Sequence, residues 1–274
     1  MVTLSNIYLY ECLSPPEYNV DELISYLQNF YPPVKPSKEN DFFVKTTSRF
    51  DCDINTLALE IARCRVLDVA KASEGIVPFP QEIDFEKRRL AGKINSKGII
   101  YDGICLQNIC RRYLLRNESS ISDCRIILTN QLIASFDEND KRYHLRVGIY
   151  GIPNIISTSG IIEALARPRE FYVKLQLGID PLVLNKDFGA DIINYDDSRL
   201  TEILKGYLLQ ALFYQISGDP FCQDRGCRLY NAHWQKEAIY AQIESGYELC
   251  PAHQKMVLSY ICCKTEGTRN HQSD

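Results

Sequence analysis

The sequence predicts a mixed α/β fold, a twisted sheet covered by helices, and three observations carry that expectation. Short apolar runs alternate with helical patterns as far as residue 130, the order produced by strands packed under helices. Leu200, Leu204, Tyr207, Leu208, Ala211 and Gln215 then recur at helical spacing before Gly218 and Pro220 stop the pattern, which makes 200–217 a central helix. Beyond it stand Cys222 and Cys227, then 22 residues, then Cys250 and His253. Two short pairs of soft ligands joined by a spacer suit a tetrahedral metal ion, so a zinc-stabilised C-terminal subdomain is expected.

From the start of the chain, Ile7 to Glu11 reads as a strand. Asn19-Val20-Asp21-Glu22 has the arrangement of a capping box and opens a helix through Leu23, Tyr26, Leu27 and Phe30, ended by the prolines at 32, 33 and 36. Phe42-Phe43-Val44 is a second strand candidate, and Ile54 to Val69 a longer helix with Cys64 in its core. Glu74 to Asp84 is irregular, and the charged segment Phe85 to Lys93 reads as an exposed helix or arm. Gly98 to Tyr101 restarts a strand and Ile104 to Leu115 a helix, on which Cys105 and Cys110 point in different directions and make a poor metal pair. Arg125 to Asn130, Arg142 to Tyr150 and Asn154 to Thr158 are further strands. The organisation expected is an N-terminal region 1–120, a region 121–264 that includes a zinc module at 218–256, and a disordered tail 265–274.

Composition excludes several function classes. A net charge of -4 and a pI near 5.7 argue against a nucleic-acid binder, and Lys87-Arg88-Arg89 and Arg111-Arg112 read as solvated faces. The N-terminus does not read as a signal peptide and no apolar run is long enough to span a bilayer, so a cytoplasmic protein without membrane partners is expected. Eleven cysteines in that compartment read as thiols and metal ligands rather than disulfides, and the acceptor pattern Asn117-Glu118-Ser119 carries no meaning without secretion.

Cys222, Cys227, Cys250 and His253 supply three thiolates and one imidazole, which fill a tetrahedral site and leave no open position. One such zinc holds structure and does not catalyse. A helix ending at a glycine with Cys-x4-Cys four residues on resembles the archaemetzincins, a family of zinc metallopeptidases whose helix carries His-Glu-x-x-His-x-x-Gly followed by a third histidine. Aligned through Gly218 and the cysteines, Ala211 and Gln215 stand at the two helix histidines, Leu212 at the general-base glutamate and Phe221 at the third histidine. Leu229 replaces a methionine, and Cys250 and His253 replace a closing cysteine pair at longer spacing. The resemblance is best from Arg125 onward and implies a zincin-like fold, with the segments before the helix forming its sheet and edge strand. The chain as a whole is similar to archaeal archaemetzincin-like proteins. A zincin needs two imidazoles one helical turn apart, a carboxylate beside them and an open coordination position. Alanine, leucine and phenylalanine supply none of these.

The function expected is therefore a pseudopeptidase that binds a peptide or protein partner, with strand addition along Asn154 to Ser159 as one route. The alternative is an active zinc hydrolase with non-standard ligands. His233 and Glu237, four apart on an expected helix 231–243, and His144 on its strand are the candidates, each also readable as an ordinary structural residue. His271 lies in the tail. A third reading is a structural subunit, which predicts a large exposed apolar surface. Glu163, Arg167, Arg169 and Glu170 suggest a carboxylate clamp or, more simply, an ion-pair network.

Overall fold

In the computed structural model, residues 4–12, 18–49, 53–73, 75–96, 98–115 and 120–269 are described. The strands are β1 (Asn6–Tyr10), β2 (Pro36–Glu39), β3 (Ile100–Asp102), β4 (Asp123–Thr129), β5 (Leu132–Asp137), β6 (Arg142–Arg146), β7 (Gly148–Ile149) and β8 (Asn154–Ser157). They form a five-stranded sheet in the order β2-β1-β4-β8-β7 and a three-stranded sheet in the order β3-β5-β6. In the larger sheet β2, β1, β4 and β8 are mutually parallel and only the short β7 runs antiparallel. The boundary near residue 120 thus falls between strands of one sheet.

Strand pleating sends alternate residues to opposite faces, and β4 shows the result. Ile126 and Leu128 join Ile7, Leu9 and Ile156 in one core, while Ile127 joins Tyr10 and Ile155 in another. The first face is covered by helices α1 (Val20–Phe30) and α9 (Leu200–Ser217), the second by α3 (Ile54–Arg63) and α5 (Gly103–Leu115). Asn19 caps α1 as its pattern implies, its side chain accepting from the Glu22 N–H at 3.1 Å. Helix α9 is buried on nearly every side and ends at Gly218, whose φ of 81° is left-handed backbone that glycine adopts without strain.

Several expectations are corrected. Phe42-Phe43-Val44 opens a helix, α2 (Phe42–Arg49), because Asp41 Oδ1 accepts from the N–H groups of Phe43 and Val44. Helix α3 stops at Arg63, since Arg65 turns into a bridge with Tyr101 on β3. Cys64 is buried but not a free thiol: it is disulfide-bonded to Cys105 of α5, with Cα atoms 5.5 Å apart.

The charged segment near residue 85 belongs to α4 (Pro80–Leu90) and is not an exposed arm. Glu86 is fully buried, accepting from Arg65 at 2.6 Å, Arg89 at 2.7 Å and the Tyr101 hydroxyl at 2.8 Å. That pairing is what permits a carboxylate in the core.

Strand β8 is not an edge, because β4 and β7 take both of its sides, and strand addition along Asn154 to Ser157 is ruled out. The sheet ends instead at β7. After α6 (Thr158–Glu163), helices α7 (Arg169–Gln176) and α8 (Pro181–Asp187) pack over a small core of Phe171, Leu184 and Ile192 and leave Leu177 and Leu182 exposed. The ion-pair network expected there gives way to other contacts. Arg167 stacks over Phe171 at 4.7 Å and donates to Asn185 at 3.5 Å.

The helix expected over 231–243 begins only at Gln235 as α10 (Gln235–Ile239) and passes into a π-helical turn, Tyr240–Glu244. Helix α11 (Pro251–Arg269) continues through the start of the expected tail, whereas residues 270–274 and 116–119, with the acceptor pattern, lie outside the described residues. No described helix is long and apolar enough to cross a membrane.

Candidate functional site

The end of α9 fixes the metal-ligand module. Past Gly218, Asp219 Oδ1 accepts from the Phe221 N–H at 3.0 Å, and Cys222 pairs with the returning chain through its N–H to the Leu229 carbonyl at 2.9 Å. Asp224 Oδ1 accepts from the Gly226 N–H at 2.9 Å and tightens the loop between the first two cysteines, while the Asp224 N–H donates to Cys222 Sγ at 3.3 Å. Cys250 immediately precedes α11 and His253 sits in its first turn, so the second pair is set by one helix start.

The four donors predicted from spacing converge, with all ligand atoms within 4.8 Å of one another. Cys222 Sγ lies 3.8 Å from Cys250 Sγ, Cys227 Sγ 3.9 Å from His253 Nδ1, and Cys250 Sγ 3.1 Å from His253 Nδ1. Leu209, Phe213, Leu229, Leu249 and Val257 form the apolar shell, and the His253 ring meets Phe213 edge-on with centroids 5.3 Å apart. Burial pushes the Cys227 thiol up to about 12, also raises Cys222, and holds the His253 imidazole below its usual range. Burial thus favours neutral imidazole, the ligand form, but opposes thiolates, which need a cation among them.

Next to this module, along α9, a cavity of about 150 Å³ opens beside the sheet edge. Its wall includes Arg146, Gly148 and Tyr150 near β7, Tyr207 and Gln210 on α9, and Phe221 and His233 from the loops beyond. Tyr150 donates its hydroxyl to Gln210 Oε1, and Gln210 Nε2 donates to the Tyr230 carbonyl at 3.1 Å, so this amide is engaged at both ends. Burial raises the phenols of Tyr150 and Tyr207 above the ordinary tyrosine value, which keeps both neutral.

The residues aligned with catalytic positions are distributed around this cavity and the core. Ala211 and Leu212 are fully buried in the main core, and Gln215 donates to the Ile121 carbonyl at 2.5 Å. Phe221 lies edge-on to Tyr150 with centroids 5.7 Å apart. Glu237 does not face His233 across a helix turn. Its carboxylate caps α10, accepting from the backbone N–H groups of His233 at 3.0 Å and Trp234 at 3.2 Å. His144 is half-buried on β6 and bonds Asp140 at 2.7 Å. Gln210, Tyr207 and Tyr150 were not singled out by sequence, although Gln210 is a polar residue within the apolar run Leu208 to Phe213 and that was a usable signal.

A model of the "Probable metallopeptidase family (DUF6775)" matches residues 3–260. The chain belongs to this family. Among curated proteins none matches. The crystal structure of archaemetzincin from Methanopyrus kandleri is similar at 12% identity with a TM-score of 0.47, covering 94% of this chain and 96% of that one. For a member of a metallopeptidase family the inventory of metal ligands is the first chemical question. Among the described residues two groups of donors come together: the buried Cys222, Cys227, Cys250 and His253, and a surface group of Asp137, Asp140 and His144. The first has the donor chemistry and enclosure to bind a metal ion.

Proposed function

We propose that this member of the family binds one structural zinc and uses the cavity beside α9 to hold a peptide without hydrolysing it. The zinc reading rests on donor spacing. Thiolates about 2.3 Å from a tetrahedral zinc lie about 3.8 Å from one another. The Cys222 and Cys250 sulfurs are 3.8 Å apart, and the sulfur-to-nitrogen separations of 3.9 Å from Cys227 and 3.1 Å from Cys250 to His253 lie either side of the roughly 3.6 Å expected for a thiolate and an imidazole on one zinc. Four protein ligands leave no coordination position for water, so such a zinc stabilises the fold. The cytoplasm is the compartment that goes with this reading, since thiolates there remain reduced, and the Cys64–Cys105 pair is its exception.

The observation that carries the non-catalytic part is the lining of the cavity. Tyr150, Tyr207, Gln210 and Phe221 line it with neutral amide, hydroxyl and ring groups, and its lining holds a single imidazole, His233, and no carboxylate, where zincin chemistry requires several imidazoles and a carboxylate together. The antiparallel strand β7 ends the sheet beside it. A peptide would extend the sheet along Gly148 and Ile149 and seat one side chain in the cavity.

Elemental analysis of protein purified without added metal, together with an assay on denatured casein in excess zinc, tests both parts. One zinc per chain that is lost in Cys222→Ser, and no cleavage, is the expected result. A metal equivalent that survives Cys222→Ser, or cleavage abolished by His233→Ala, sinks the reading.

A further inference from the structure

The two pairs of metal ligands stand 22 residues apart in the chain, and they are tied together by contacts outside the ligand set. The segment between the π-helical turn and Cys250 folds back over the loop that joins Cys222 to Cys227. Tyr247 donates its hydroxyl to the Asp224 carboxylate, 2.7 Å from each oxygen. Ser245 donates its hydroxyl to the Gly226 carbonyl at 2.5 Å, and the Arg228 N–H donates to the Glu248 carbonyl at 2.9 Å. Gly226 marks the close approach, since a Cβ there would lie 2.8 Å from the Tyr247 hydroxyl oxygen and 3.2 Å from Ser245 Oγ.

Asp224 carries this contact to the first pair of ligands. Its N–H donates to Cys222 Sγ at 3.3 Å, its carbonyl accepts from the Cys227 N–H at 3.1 Å, and its Oδ1 accepts from the Gly226 N–H at 2.9 Å. The carboxylate is therefore fixed relative to both cysteines of its loop, while Tyr247 stands three residues before Cys250. A phenol bonded to a carboxylate is a charge-assisted pair, stronger than a bond between neutral groups. Of the contacts between the two segments it joins side chain to side chain, so it can be removed without touching the backbone.

We propose that Tyr247 is a positioning residue for the metal centre: bonded to Asp224, it holds the Cys222–Cys227 loop against the Cys250–His253 helix start and sets how slowly the ion leaves. The inference rests on the zinc reading above and adds a residue outside the four ligands. A site with four protein ligands loses its ion only as those ligands let go. Within each pair the ligands share one loop or one helical turn, so the easier separation is between the pairs, and that motion breaks the Tyr247–Asp224 bond. Residues that support metal ligands from outside are worth about 10–100-fold in metal affinity. Tyr247 is 45% exposed, so water competes for its hydroxyl and the effect belongs at the low end of that range.

Transfer of zinc from the full chain, loaded with one equivalent, to excess 4-(2-pyridylazo)resorcinol tests the proposal. Tyr247→Phe keeps the ring and removes the hydroxyl, and it should release zinc about tenfold faster than wild type. Asp224→Asn should also release faster, and the double variant should be no faster than the faster single one, because both substitutions remove the same bond. The cobalt-substituted Tyr247→Phe protein should keep the wild-type absorption spectrum, which shows the ligand set intact. Wild-type protein that holds no zinc defeats the zinc reading and this inference with it. Zinc that is bound but leaves Tyr247→Phe at the wild-type rate overturns the inference alone. So do rate effects of the two substitutions that multiply in the double variant, or a cobalt spectrum altered by Tyr247→Phe.

Discussion

Two buried polar centres hold this molecule together, and they solve the problem of burial in opposite ways. Around Cys222, Cys227, Cys250 and His253 the donors are three thiols and an imidazole, and to act together as thiolate ligands, as proposed above, they need a cation from outside the chain. Around Glu86 the cations are built in: Arg65 and Arg89 hold the carboxylate on both oxygens and Tyr101 donates a further hydrogen bond. With the proposed zinc, the first centre depends on metal supply, whereas the second folds with the chain alone. Removing a component should therefore act differently on each.

The largest effect belongs to the metal centre. Structural zinc contributes about 10–16 kcal/mol of apparent binding free energy in small zinc peptides. Cys222→Ser or prolonged chelation should therefore unfold the segment from Cys222 to His253 and expose Leu229 and Leu249. Hydrogen exchange should report this as lost protection in α11 and the end of α9, with β1 and β4 still protected. If chelation leaves exchange unchanged, the centre is held by packing and the contrast fails.

Next comes the self-neutralised centre. Glu86→Ala leaves two guanidinium groups buried without their shared partner, and a change of this kind costs about 3–5 kcal/mol. Denaturant unfolding should show that loss whether or not zinc is present. Replacing Arg89 alone should cost less, because Glu86 keeps Arg65 at 2.6 Å.

Only the first of these centres was legible in the sequence, and the reason is physical. Metal ligands come in short pairs of uncommon residues, so Cys-x4-Cys and Cys-x2-His announce themselves. Arg65, Glu86, Arg89 and Tyr101 are common residues spread along the chain, and a helix bearing Lys87-Arg88-Arg89 looks solvated until its partner is known. Strand β4, helix α5 and the Asn19 cap followed from local pattern. Helix α2 did not, because three apolar residues in a row fit a strand equally well and only the Asp41 cap decides between the two. The Cys64–Cys105 pair joins positions 41 apart, a pairing that no local pattern encodes.

Two smaller effects probe how the metal module is joined to the rest of the fold. Gly206 of α9 packs against the π-helical turn, where an added Cβ would collide with the side-chain amide of Gln242. That amide donates to the Arg228 carbonyl at 3.0 Å, so a shift away from an added Cβ strains or breaks that bond. Gly206→Ala should destabilise by about 1–3 kcal/mol, the usual cost of overpacking, and Gly206→Ala combined with Gln242→Ala should recover part of the loss.

The smallest effect lies at Glu202, which ties α9 to the module through Arg228 and also accepts from Lys205 at 2.6 Å. Burial alone would raise its carboxyl, but the hydrogen bonds from Lys205 and Arg228 outweigh that and hold it below the ordinary value of 4.5. A carboxyl lowered on folding stabilises the native state at pH above its unfolded value, and that contribution is lost as pH falls through the folded value. With the side chain about a third exposed, solvent screening limits the effect to about 1 kcal/mol or less. Glu202→Gln should therefore melt lower than wild type at pH 6 to 7, and the two should converge as pH drops below about 4.5. The same comparison with zinc removed should show a smaller gap, because Arg228 then belongs to an unfolded segment and only Lys205 remains to hold the carboxylate.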